Sequence, residues 1–208
     1  MPTFSASAPL NAAAASSDRR WIAAFALWLA AALGASASGL LSLDRLPLVP
    51  LFLGGGVAAL ALAYARVPSF RDFAQRIDLR VVIAVHLVRA PIGIAFLVLE
   101  SFQRLDPIFA TRAGWGDILA GALAIVALLA VPASTRARRS IVRAWNVVGL
   151  ADILMVVATA QYLIFFSGHP ETLAVMAGFP WGAIPLCIVP IVIATHLLVF
   201  ARLRRDEA

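Results

Sequence analysis

Six separate stretches of the chain are long and apolar enough to cross a lipid bilayer as helices. No other feature limits the possible folds as much. They lie at about 21–42, 48–66, 81–100, 115–134, 142–166 and 183–203, each close to the roughly 20 apolar residues that a membrane-crossing helix needs. Composition agrees. The 208 residues are 62% hydrophobic and 13% charged, against about 45–50% and 25% in a soluble domain. A water-soluble fold of this size has too little interior to hide so much apolar surface. An ordinary cytosolic enzyme is therefore excluded, and so is a disordered chain, which needs low hydrophobicity. The expected fold is all-α: a polytopic membrane helix bundle of about six spans, forming a single transmembrane domain over residues 19–205. Residues 1–18 are small, polar and of low complexity, and read as a loose, disordered tail.

The charge pattern orients the bundle. All 17 basic residues are arginines. Arg19 and Arg20, Arg66, Arg71, Arg76 and Arg80, Arg136, Arg138, Arg139 and Arg143, and Arg202, Arg204 and Arg205 fall in four segments on one side. The alternate connections hold only Arg45, Arg104 and Arg112, and Arg89 lies inside a span. The positive-inside rule then predicts both termini in the cytoplasm. The pI of about 11.2 follows from the same arginines, which suit anionic lipid headgroups and call for no nucleic acid. Arg19-Arg20, the apolar run and Ala35-Ser36-Ala37 also imitate a cleavable signal peptide, but apolar residues continue past that site and favour a retained helix. The single cysteine, Cys187, excludes a disulfide framework and a multi-cysteine metal site.

Two connections carry their own pattern. Phe70, Phe73, Ala74 and Ile77 share a helix face, and Ser69 with Asp72 resembles a helix-start cap. An interfacial helix over about 69–78 is predicted, with the arginines on its other faces. Pro170 and Gly178 bracket a second short helix on the outer side. Gly116-Asp117-Ile118-Leu119 and Ala151-Asp152-Ile153-Leu154 echo each other. The two spans run in opposite directions and are expected to hold these segments at different depths, so the match reads as chance.

Ionisable groups inside a bilayer are costly and mark functional sites by default. Counting ~1.5 Å per residue from the cytoplasmic ends places His86, Arg89, Asp152 and His196 together in the inner half. Asn146 lies one to two turns below Asp152. His86, Arg89, Gly93, Phe96 and Glu100 make one stripe on the third span, and Asn146, Gly149, Asp152, Val156 and Thr159 one on the fifth. Arg89 is paired with Asp152, the only carboxylate expected near its depth, so removing Asp152 alone should strand a buried arginine. The pair could simply pin two helices together. It could also bind a small anionic or proton-linked solute, the guanidinium fork holding an anion and the carboxylate relaying charge.

Alternatively, His86 and His196 could ligate a b-type haem from both sides, with Arg89 near a propionate; simple interhelical hydrogen bonding explains the histidines more economically. At the outer surface, Glu100, Arg104, Asp106, Arg112, Asp117 and His169 read as a solvated rim, with Asp117 capping the fourth helix against its dipole. Pro91, Pro185 and Pro190 free backbone carbonyls beside the polar groups. Gly54-Gly55-Gly56 suggests close helix packing. No hydrolase, metalloprotease, nucleotide-binding or di-iron motif is present, which makes an enzyme the less favoured reading.

The stretches LVRAPIGIAFL, AGWGDILAG, WNVVGLADIL and IPLCIVPIVIATHL resemble small six-helix bacterial inner-membrane proteins of uncharacterised activity, over roughly residues 85–200. The resemblance implies a polytopic bundle, and brings no activity or site residues with it. Three functions are left open: a binding or translocation site for a small anionic or proton-linked solute, a two-histidine haem protein, or a structural or accessory membrane subunit that could also form homo-oligomers.

Overall fold

The computed structural model describes residues 7–41 and 43–205. Among these the chain is predominantly helical, without strands. Six segments are long and apolar enough to cross a membrane: Ser16–Ala37, Val49–Arg66, Leu79–Ser101, Pro107–Leu129, Arg136–Phe165 and Ile184–Arg205. The chain is a multi-pass membrane protein.

Helix α1 (Ser7–Ala37) starts inside the segment read as a tail. Residues 7–18 are therefore helical, a correction of that reading; residues 1–6 lie outside the described residues. Alanine has the strongest intrinsic helix preference, and AAAA at 12–15 extends the helix into a stretch whose polarity alone suggested coil. The helix ends sooner than expected, at Ala37, and Gly39 follows with φ +68°, the left-handed geometry usual beyond a helix end.

Helix α2 (Val49–Arg66) is followed directly by α3 (Pro68–Arg76). A short helix is thus present where one was predicted, with Phe70, Phe73 and Ala74 buried. Its cap differs from the expectation. Val67, in extended geometry, is the N-cap and no side chain caps the turn, because Pro68 already occupies the first position, where a missing N–H costs nothing. Trp21 of α1 meets Phe70 edge-on at 4.9 Å. Arg76 pairs with Asp18 at 2.5 Å. From the far end of the chain, Arg202 donates to the carbonyls of Ile77 at 2.6 Å and of Ala74.

The third span is broken in its middle: α4 (Leu79–Ala84), a 3-10 turn (Val85–Val88), then α5 (Arg89–Ser101). Pro91 lacks the N–H that would bond the Leu87 carbonyl, and the backbone tightens just before it. The sixth span is broken likewise. A π-helical turn at Ile184–Ile188, holding Pro185, leads into α8 (Val189–Arg205), with Pro190 in its first turn. The segment Pro170–Ala177 is a 3-10 helix closed at Gly178.

The largest departure from the expected boundaries is α6 (Pro107–Leu129), which begins eight residues before the predicted 115. Asp106 is its N-cap, accepting from Ile108 N at 2.9 Å and Phe109 N at 3.0 Å, with Pro107 in the first turn. That is a strong helix start. The dipole role assigned to Asp117 therefore belongs to Asp106. Helix α7 (Arg136–Phe165) is capped by Thr135, which accepts from Arg138 N at 3.2 Å.

Helices α5 and α6 pack backbone to backbone. A Cβ on Gly93 would collide with the carbonyl oxygen of Gly114. In α2, by contrast, only Gly56 is tightly packed, 3.1 Å from Pro190 and from Trp28; Gly54 and Gly55 face open space, so the triple glycine is not a packing motif as a whole. The core divides into layers. Near the arginine-rich end lie Val82, Ile83, Ala127, Val142, Val199 and Leu203. Near the opposite end lie Phe96, Leu99, Phe109, Val156 and Leu163. The polar groups occupy the level between.

Candidate functional site

At that middle level a single guanidinium organises three helices. Arg89 is the first residue of α5, immediately after the 3-10 turn, and is 2% exposed. Its Nε donates to Asp117 Oδ1 of α6 at 2.6 Å. Its Nη1 donates to the Gly149 carbonyl of α7 at 3.1 Å, and its Nη2 to Asp152 Oδ2 of α7. Arg89 and Asp152 thus meet as expected. Asp117 joining them is a correction. It is buried, not part of a solvated rim, because the earlier start of α6 puts it ten residues into the helix, about 15 Å down at ~1.5 Å per residue. With Asp152 it gives the arginine two carboxylate partners.

The Gly-Asp-Ile-Leu and Ala-Asp-Ile-Leu segments place their aspartates on the same guanidinium from adjacent helices. Their expected difference in depth does not hold, and this echo was a signal in the sequence that paired Asp117 with Asp152. Glycine makes the approach feasible: a Cβ on Gly116 would overlap Asp152 Oδ1. Asp117 is buried, whereas the Asp152 side chain keeps 10% exposure along the α6–α7 seam. Further along that seam, Arg112 donates to Thr159 Oγ1 at 3.2 Å.

The histidines lie beside the arginine. His86 is in the 3-10 turn and His196 in α8, both fully buried, with ring centroids 4.2 Å apart. Trp145 packs against both, at 5.0 and 5.4 Å, and donates its indole N–H to the Ala120 carbonyl at 3.1 Å. Asn146 is also fully buried; it donates to the His196 carbonyl at 3.0 Å and contacts His196 Nδ1 at 2.8 Å. His86 Nε2 contacts Thr195 Oγ1 at 3.0 Å. At the point where a Cβ on Gly149 would sit, His196 Cε1 lies 2.6 Å away and Arg89 Nη1 3.4 Å away. All five residues singled out from the sequence, Arg89, Asp152, His86, His196 and Asn146, therefore converge; Asp117, Gly149, Thr195 and Trp145 complete the group.

This geometry does not fit the haem alternative. Two histidines that ligate one haem stand on opposite faces of the porphyrin, each turning a nitrogen to the iron. Here the rings pack against each other at 4.2 Å, with no width for a macrocycle between them. At the outer end, His169 Nδ1 and Glu171 Oε1 are 3.1 Å apart and exposed. The backbone hydrogen bond within Glu171, followed by its contact with His169, holds this carboxyl below its ordinary range. Among the described residues, no group of three or more His, Cys, Asp or Glu is placed to hold a metal ion.

Residues 46–204 match the family model described as a domain of unknown function, DUF8737. The match spans the broken third span, the arginine with its two aspartates, and both histidines. No curated protein and no solved structure matches the chain.

Proposed function

We propose, for a chain that belongs to the DUF8737 family, that the polar layer is a proton-linked site for binding or moving a small solute across a bacterial inner membrane. One observation carries this: two aspartates share one arginine between two apolar layers. With both carboxylates ionised, the trio has a net charge of −1, which is costly in a low-dielectric interior. A single proton on either carboxyl removes it. The other half of the sequence-based expectation, an anionic solute, has less support. The guanidinium already donates to three acceptors, and an anion would have to displace a carboxylate. The apolar layers above and below separate the site from both faces, as an occluded midplane site requires. The breaks at Val85–Val88 and Ile184–Ile188 provide points where the spans can bend.

The test is infrared spectroscopy of the protein in lipid vesicles. A protonated-carboxyl band that shifts in D2O should be present in the wild type and lost in Asp117→Asn/Asp152→Asn. If the wild type has no such band, the trio holds no exchangeable proton, and the cluster is a structural lock.

Within the same reading, the arginine-rich end faces the cytoplasm, with both termini there, and its arginines contact anionic headgroups. Reporter domains fused after Arg205 and within 168–169 should report opposite sides. Agreement between the two reporters would overturn this orientation.

A further inference from the structure

The hydrogen-bond network around the two histidines assigns their tautomers. The Thr195 hydroxyl has one hydrogen, directed to the carbonyls of Ile191 and Val192, both at 2.9 Å. With that hydrogen held by the carbonyls of its own helix, the hydroxyl accepts from His86, which assigns the proton to His86 Nε2 and leaves Nδ1 a bare lone pair. The Asn146 amide is oriented by its N–H bond to the His196 carbonyl. Its oxygen therefore faces His196 Nδ1, which must donate, and Nε2 is the bare lone pair. Neither His86 Nδ1 nor His196 Nε2 has a hydrogen-bond partner, and both rings are fully buried. Two acceptors without protein donors, on buried rings 4.2 Å apart, are a costly arrangement to retain.

The same neighbourhood lacks one positive charge. From this pairing of spare lone pairs and missing charge, we infer that the His86–His196 pair is a second seat for the proton of the Arg89–Asp117–Asp152 cluster. The inference rests on the proton-linked reading and deepens it. A proton occupies no volume, so rings in contact can accept it where they could not admit a metal or an organic cation. The charged group beside the pair is Arg89 on α5, and it carries Asp117 of α6 and Asp152 of α7 on its other donors. The transfer moves one proton. A carboxyl O–H bond breaks, an N–H bond forms at His196 Nε2 or His86 Nδ1, and a carboxylate and an imidazolium remain, with the net charge unchanged. At the Cβ position of Gly149, His196 Nε2 lies 3.0 Å and Arg89 Nη1 3.4 Å away, so the imidazole stands beside the guanidinium that holds both carboxyls.

The experiment is 15N NMR of histidine-labelled protein in lipid vesicles, in a His169→Gln background, so that every histidine signal comes from His86 or His196. At high pH, His86 should be protonated at Nε2 and His196 at Nδ1. As the pH falls, one doubly protonated imidazole should appear. In Asp117→Asn/Asp152→Asn, where no negative charge is left to balance, its fraction at the same pH should drop several-fold. The isosteric single variant Asp152→Asn should give an intermediate drop and serves if the double variant does not fold. Imidazoles that stay singly protonated in the wild type, while the carboxyl infrared band is present, overturn the inference and leave the proton-linked reading standing. An imidazolium fraction unchanged by the aspartate variants also overturns it. Absence of the infrared band defeats the underlying reading instead.

Discussion

Arg89→Leu should be the most damaging single substitution in the bundle. It should lower the unfolding free energy by about 3–5 kcal/mol, the range found when one partner of a buried ion pair is removed. Both Asp117 and Asp152 lose their cation at once, and the Gly149 carbonyl loses its donor. Asp152→Asn should cost much less. It leaves Arg89 and Asp117 as a balanced pair, and the amide still accepts a hydrogen bond. This reverses the expectation from the sequence, in which Asp152 was the sole partner and its loss stranded the arginine. Combining Arg89→Leu with Asp117→Asn and Asp152→Asn should recover most of the loss, since no buried charge then remains unpaired. Denaturant titration of the protein in mixed micelles gives all three values as a mutant cycle. Equal losses for Arg89→Leu and Asp152→Asn would show that Asp117 does not share the load.

Gly93→Val is the second large effect. Even one added carbon meets the Gly114 carbonyl oxygen, with Asp117 Cβ and Ile118 Cγ1 each at 3.1 Å. The obstacle is backbone, so no rotamer change relieves it, and α5 and α6 must separate at the level where Arg89 reaches Asp117. Overpacking of this kind costs about 1–3 kcal/mol, and the weakened ion pair adds to it. Gly55→Ala is the control. Nothing lies within 4 Å of that position, and alanine there should stabilise the helix by roughly 0.5–1 kcal/mol. Thermal unfolding of the two variants in the same detergent should move in opposite directions. A Gly93→Val protein as stable as the wild type would mean that the two backbones are not in contact.

Legibility differed from residue to residue. Arg89, Asp152, His86, His196 and Asn146 were recognisable because a charge or imidazole within an apolar run is conspicuous at any register. Asp117 was conspicuous too, but its depth was misjudged. Hydropathy put the start of the fourth span at 115, since Arg112 and the glycines lower the local average. The chain instead starts its helix from Asp106 and Pro107, a capping signal that a hydropathy window does not see. The resemblance of the two Asp-Ile-Leu segments held the missing information, but it has meaning only once α6 and α7 are known to lie side by side at matched height.

The number of apolar helices, the short amphipathic helix at Pro68–Arg76 and the inward stripes on the third and fifth spans were determined by the sequence alone. Each is a property of a contiguous run of residues, set by local periodicity and by transfer from water to an apolar phase. The pairing of Arg89 with two aspartates, the contact between the histidine rings that leaves no room for haem, and the two bare imidazole nitrogens were decided only by the tertiary structure. These depend on the relative height and rotation of separate helices. That register comes from close backbone contacts such as Gly93 on Gly114, whose short-range repulsion and packing act between residues distant along the chain and leave no periodic trace within either helix.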